Sequence, residues 1–495
     1  MYMQTVKSFL KNQPVLSLGF LLLIVYVVLR AALVNITHDE AYSFHNVKNF
    51  WISEFLCTGN SHWINSAAMK LSLLSGCESV FCLRWFSVFS FILTCCFGWW
   101  WLKTFSSTSI KLLGFCVLFL NPYLLDYFGL ARGYAAGIMF QCLALWFFVK
   151  GINKNKRLTL FLSIAFAGLS SISNYSFVYF FFAFALIYFY TVYFKGLNGF
   201  YKRKSFYVDA LICLGTFLLI GRAILFMIRC SGDFKGAGEP SFLAMFHVLS
   251  DGFFYHKLVL PKLIQFGISL GIFFCISLSC YFGIFKRKEH QNALYYYSSL
   301  IFPLMILPMI LNYLCFHAPY PFYRAAQLLI VPSAVSFVSF IRFKFIFYKP
   351  VILVFSFLLI INFMMSINLK HAFDFIEQTD SKESFDELQK LNAKHVGISP
   401  ELYGVFVNYY YTSNTKKYNY IGDRIETYYP KGICPVENKL AEFDYLVLYP
   451  PYDLTYYKNS DVHLTYVSVS PNTKNLIVRV QKKPRSNNTP GLHKP

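Results

Sequence analysis

The chain has 495 residues, of which 56% are hydrophobic and only 14% charged, where a soluble chain carries about a quarter charged residues. The formal net charge is +21, but the cations fall in short clusters between long apolar blocks. That is a topology signal of a multi-spanning membrane protein, and it excludes both a soluble enzyme and a nucleic-acid partner.

The first apolar block, 14–34, is about 20 residues long, enough to cross a bilayer at about 1.5 Å per residue. Lys7 and Lys11 flank it as in a signal peptide, yet its length, its interruption at Arg30 and its lack of a small-residue cleavage site predict an uncleaved anchor. Directly after it stands His38-Asp39-Glu40-Ala41-Tyr42, with two adjacent carboxylates at a membrane surface. Acid there is costly to hold beside lipid and points to function, which makes Asp39, with Glu40 its neighbour, the candidate catalytic base. From Tyr42 to Leu56 the bulky residues Phe44, Val47, Trp51 and Phe55 recur at three- and four-residue steps, the pattern of a helix lying in the interface plane. A second such helix runs from Trp63 to Leu74. The turn between them carries Asn60 and His62, which either face water as caps of the bundle or line a site.

Farther on, Pro122 interrupts the third apolar block, and Asp126 and Arg132 bracket an outward hairpin that continues into Gly133 and Tyr134. Two readings stand: Asp126 and Arg132 form a structural ion pair, or Arg132 binds an anion while Asp126 orients it or the substrate. Pro319-Tyr320-Pro321-Phe322-Tyr323-Arg324 then places Arg324 at the mouth of a later span, where snorkelling and phosphate binding account for it about equally. In all, the apolar blocks predict about eleven spans, at 14–34, 83–102, 111–127, 132–149, 158–174, 177–194, 206–228, 263–285, 294–316, 325–341 and 350–368. Basic clusters at Lys7/Lys11, Lys103/Lys111, Lys150–Arg157, Lys195–Lys204, Lys286–Lys288 and Arg342–Lys349 occupy alternate connections. The positive-inside rule makes these cytoplasmic, with the N-terminus inside and the C-terminal segment outside, in the inner membrane and periplasm if the source is bacterial.

Most cysteines lie in the apolar blocks, and in an oxidising compartment a Cys57–Cys77 disulfide across the first outer loop is allowed. No Cys/His spacing suggests a metal site. After about 369 the charge rises and the apolar blocks shorten. A helix from Ser384 to Lys394 and strands at 395–398, 443–449 and 475–480 predict a small extracytoplasmic α/β domain. The expected organisation is a transmembrane catalytic domain over 1–370, this α/β domain over 371–483, and a disordered end over 484–495.

An acidic pair after the first span, a His-containing turn, a span opening Leu83-Arg84-Trp85-Phe86-Ser87 and a hairpin ending Leu130-Ala131-Arg132-Gly133-Tyr134 together carry a resemblance. The chain resembles the C-type (GT-C) membrane glycosyltransferases related to protein O-mannosyltransferases and lipid A aminoarabinose transferases. The likeness covers residues 1–370 in architecture and about 60 residues in motif. It implies a glycosyltransferase that moves a sugar from a polyprenyl-phosphate donor to an extracytoplasmic glycan, lipid or protein. It further implies Asp39 as base and Arg132 and Arg324 as ligands of the lipid phosphate. The sequence lacks the D-x-D pair, so a divalent metal is allowed but not indicated, and no cofactor is assigned. Two other functions remain compatible with many spans and intramembrane charge: a transporter or flippase of a lipid-linked substrate, and a glycan polymerase or ligase using lipid-diphosphate donors. Charges clustered at one outer face favour interfacial chemistry over transport.

Overall fold

The computed structural model describes residues 14–49, 62–194, 203–230, 238–250, 262–285, 292–344, 348–412, 421–424, 443–450 and 462–482. The chain divides into two compact units, one formed by residues up to Leu33 together with Asn46–Leu369, the other by Val34–His45 together with residues from Lys370 on. Asn60, Cys57 and the end 484–495 lie outside the described residues.

The first unit is helical. Among the described residues nine helices are long and apolar enough to cross a membrane, from Pro14–Leu33 (α1) to Lys349–Ser366. Of the two other predicted spans one is bent and one is short. The block at 111–127 is a broken helix, Thr108–Phe119 and Pro122–Phe128, bent by 59°. The bend has a local cause: Asn121 caps the second piece by accepting from the Leu124 amide at 3.2 Å, and Pro122 occupies its first turn, where no amide is needed. The block at 158–174 is Arg157–Ser173, 17 residues, about 25 Å long.

Small residues set the closest helix contacts. Gly133–Lys154 packs on Arg157–Ser173, with Ser170 Oγ donating to the Gly137 carbonyl at 2.8 Å and a Cβ at Gly137 falling 2.8 Å from the Phe177 ring. On the opposite faces Leu18, Leu21, Leu22 and Val25 of α1, and Val351, Val354 and Leu358 of the last span, stay exposed, as side chains meeting lipid do. One buried acid inside a span, Asp209, is fully engaged. It pairs with Arg157 at 2.5 Å and accepts from Tyr188 and Tyr193 hydroxyls at 2.6 Å each. A carboxylate so satisfied is a clamp between helices.

Cys77 is disulfide-bonded to Cys82, not to Cys57. The short turn ahead of Val80–Lys103 explains this. Ser79 caps that helix by accepting from the Cys82 amide, which folds the chain back so that the two cysteines meet with Cα atoms 6.0 Å apart.

The second unit holds a five-stranded sheet of β1 His395–Ile398, β2 Ile421–Arg424, β3 Tyr445–Leu448, β4 Val462–Val469 and β5 Leu476–Lys482, in the order β2-β1-β3-β5-β4. The first three strands are parallel, and β5 runs antiparallel to both β3 and β4. Three of these strands are legible in the sequence. β2 and β4 are not, because β2 is short and polar and β4 is an edge strand whose outer residues His463, Thr465 and Tyr466 are exposed. Val396, Ile398, Leu446, Val447 and Val478 are buried in the sheet. The predicted helix begins three residues earlier than expected, at Ser381–Lys390. Asp380 just ahead of it ties the β4–β5 turn, accepting from the Asn472 amide at 2.8 Å, the Thr473 amide at 2.6 Å and the Asn472 Nδ2 at 2.6 Å.

Candidate active site

The acidic pair, in the second unit, opens a helix, His38–Asn49. Thr37 and Glu40 form a capping box: the Glu40 amide donates to Thr37 Oγ1 at 3.4 Å, and Glu40 Oε2 accepts from the Thr37 amide and hydroxyl at 3.0 Å each. The sequence T-x-x-E was a readable signal for this role. Glu40 is 1% exposed and its carboxylate is occupied in building the helix start. Asp39 sits within that first turn, where the helix end favours negative charge. The next amide donor, that of His38, goes to Gln378 Oε1 at 2.7 Å. Gln378 is itself buried and donates to Glu377 Oε1 at 3.3 Å and to the Glu401 carbonyl at 3.4 Å. The carboxyl of Glu377 lies above its usual range because burial disfavours its charge and Glu401 and Asp374 repel it, effects that its own amide and His38 only partly offset. These contacts join residues distant in sequence, and composition gave no hint of them.

In the first unit Arg132 is the residue ahead of Gly133–Lys154, in extended backbone, with a guanidinium 1% exposed. The glycine after it is forced by crowding: a Cβ at Gly133 would stand 1.9 Å from the Ser173 carbonyl oxygen and 2.7 Å from His62 Nδ1. His62, 4% exposed, meets the Tyr134 ring edge-on at 5.4 Å. Its helix neighbour Asn65 donates to the Ala131 carbonyl at 2.7 Å, so the helix Trp63–Leu74 is fastened to the Arg132 hairpin. From Tyr134 a ladder of rings continues through Tyr127 at 4.8 Å and Tyr123 at 5.4 Å to Tyr323 at 6.0 Å. Tyr323 precedes Arg324 and has φ of +39°, a strained conformation for an aromatic residue. The structure therefore brings His62, Tyr134 and the Arg132 hairpin together and links them by aromatic packing to the segment bearing Arg324.

Asp126 pairs with Arg30, Nη2 to Oδ1 at 2.5 Å, and both side chains are at most 2% exposed. Arg30 also donates to the Asn368 carbonyl and, at 3.3 Å, to the Tyr26 hydroxyl. In the sequence Arg30 reads only as a break in the first span. The missed signal is that a charge in an apolar block needs a counterion, and Asp126 is at hand. Arg84 is a second buried guanidinium of this region, 0% exposed, and donates to the Ala31 carbonyl at 3.3 Å. Among the described residues no group of three or more His, Cys, Asp or Glu side chains is arranged to hold a metal.

The described residues make a polytopic fold of membrane-spanning type with a small C-terminal sheet. The chain is similar to the crystal structure of ArnT from Cupriavidus metallidurans bound to undecaprenyl phosphate, with a TM-score of 0.53 and 9% identity over 94% of this chain and 98% of that one. It is also similar to the same enzyme in the apo state, with a TM-score of 0.52 and 8% identity over 93% and 98%. No protein-family model and no curated protein sequence matches the chain.

Proposed function

We propose that this protein is a membrane glycosyltransferase that moves a sugar from a polyprenyl-phosphate donor to an extracytoplasmic acceptor. The observation that carries the reading is the likeness, along almost the whole of both chains, to a structure whose ligand is undecaprenyl phosphate. The residues supply the chemistry such a reaction needs. Asp39 is the general base that takes the proton of the acceptor hydroxyl, a role worth about 10²–10⁴-fold in rate. Glu40 caps the helix that carries Asp39. Arg132 and Arg324 bind the lipid phosphate and stabilise it as it leaves, as guanidinium forks do bidentately. His62 and Tyr134 contact the substrate beside Arg132, and Asp126 serves as the counterion of Arg30. Alternation of basic connections supports a position of the first loop and the C-terminal module outside the cytoplasm, and the Cys77–Cys82 disulfide supports an oxidising compartment for that loop.

The test supplies purified protein, in detergent or in liposomes, with a panel of radiolabelled undecaprenyl-phosphate pentoses and hexoses and an envelope extract as acceptor source. Release of undecaprenyl phosphate coupled to label transfer is expected. Accumulation of intact donor inside sealed liposomes without cleavage would replace the enzyme reading with a transporter.

A further inference from the structure

A carboxylate that takes a proton in every turnover must lose it again before the next. Asp39 has little access to water, with a side chain 10% exposed, whereas that of His38 is 44% exposed. His38 Nδ1 lies 3.7 Å from Asp39 Oδ1. The other neighbouring acid, Glu40, is unsuited to collect the proton, because its Oε2 already accepts from the Thr37 amide and hydroxyl. The imidazole is held in place from two sides. Its main-chain amide donates to Gln378 Oε1 at 2.7 Å, and its Cδ2–Nε2 edge lies over Gly404, where a Cβ would approach those atoms to 2.1 and 2.3 Å. The ring thus touches the buried carboxylate at Nδ1 while its side chain as a whole stays 44% exposed to water.

We infer that His38 is the proton outlet of Asp39: Nδ1 takes the proton that Asp39 removed from the acceptor hydroxyl, and Nε2 gives its proton to water. This rests on the glycosyltransferase reading above. In the balanced step the acceptor oxygen bonds to the anomeric carbon, the bond from that carbon to the phosphate oxygen breaks with its electron pair, and the phosphate leaves as the dianion. The acceptor proton passes from Asp39 to imidazole to solvent. At 3.7 Å the transfer needs a small approach or one intervening water, as is common before substrate binds. Histidine suits the task because its unperturbed pKa, about 6.5, lies between that of a carboxylic acid and neutral water. Two acidic groups stand by the ring: Asp39 on its own helix at 3.7 Å, and Glu377 on Phe373–Gln378, which interacts electrostatically with His38.

The experiment uses the full-length protein with whichever donor of the radiolabelled panel it turns over. His38→Ala should lower kcat about 10–10²-fold with little change in the donor KM. Added imidazoles should restore rate in proportion to their basicity, a response that loss of packing alone does not give. Gly404→Ala, which displaces the ring but leaves it in the chain, should slow turnover in the wild-type background and have no further effect beside His38→Ala. If His38→Ala fails to fold, slow turnover of Gly404→Ala rescued by imidazole carries the test. Wild-type kcat in folded His38→Ala from pH 5 to 9 overturns the outlet, as does a folded, slow His38→Ala that no imidazole rescues. A normal Gly404→Ala rate also overturns it. Failure of the parent reading looks different: the wild type cleaves no donor, or Asp39→Asn turns over at the wild-type rate.

Discussion

The Arg30–Asp126 pair allows a test with a calculable size. Both side chains are at most 2% exposed and the charged atoms are 2.5 Å apart. At that distance an effective dielectric near 20 gives an attraction of about 7 kcal/mol, much of which repays the removal of the two ions from water. Asp126→Asn leaves a buried guanidinium without its acid, and such half-broken pairs cost about 3–5 kcal/mol, or about 10²- to 10⁴-fold in the folded population. Neutralising both partners removes the stranded charge, so Asp126→Asn with Arg30→Gln should recover most of that loss. The assay is thermal stability of the purified protein in detergent, read by the size-exclusion peak that survives heating. The competing pairing from the sequence makes Arg132 the partner and expects Asp126→Asn with Arg132→Gln to recover stability. If that second double mutant is the stable one, or if Asp126→Asn melts like wild type, the reasoning fails.

Asp39→Asn should abolish label transfer while leaving the melting temperature intact, whereas Glu40→Gln should retain chemistry and lose about 1 kcal/mol from the capping box; the reverse pattern would exchange their roles. Arg132→Ala should depress turnover strongly and Arg132→Lys recover only part, since charge returns without the planar fork; full activity of the alanine variant in the donor-cleavage assay removes Arg132 from phosphate binding. Burial pushes the Asp380 carboxyl upward, but hydrogen bonds from Asn472, Thr473 and Ser470 outweigh it and hold it below its ordinary 3.8. The stability it supplies is therefore present above pH 3.8 and lost as the pH falls below that value, and Asp380→Asn should destabilise the C-terminal module by about 3 kcal/mol and flatten its acid unfolding curve. A reporter fused after Lys370 should be active only outside the cytoplasm and one at Lys288 only inside; a cytoplasmic Lys370 would overturn the assigned orientation.

Much of the architecture is legible in the sequence because lipid imposes a one-dimensional rule. A segment that spans must be apolar for about 20 residues and satisfy its own backbone. Hydropathy thus locates the helices, Pro122 marks the break within the block at 111–127, and the change in composition near 369 marks the return of the chain to the second unit. The acidic pair and the arginines also stand out, since charge is rare in such a chain. What each charge does is decided by partners that lie far off in sequence. Asp126 meets Arg30 across 96 positions, His38 is held by Gln378 and seated on Gly404, and Glu40 turns out to cap a helix. The same holds for the disulfide, where the turn at Ser79 selects Cys82 over a partner in the preceding loop. Hydropathy sums over neighbours along the chain, whereas hydrogen bonds and ion pairs depend on direction and on distances of a few ångströms. Only the tertiary structure fixes those, which is why the bundle could be read from the residues and the contacts around Asp39 could not.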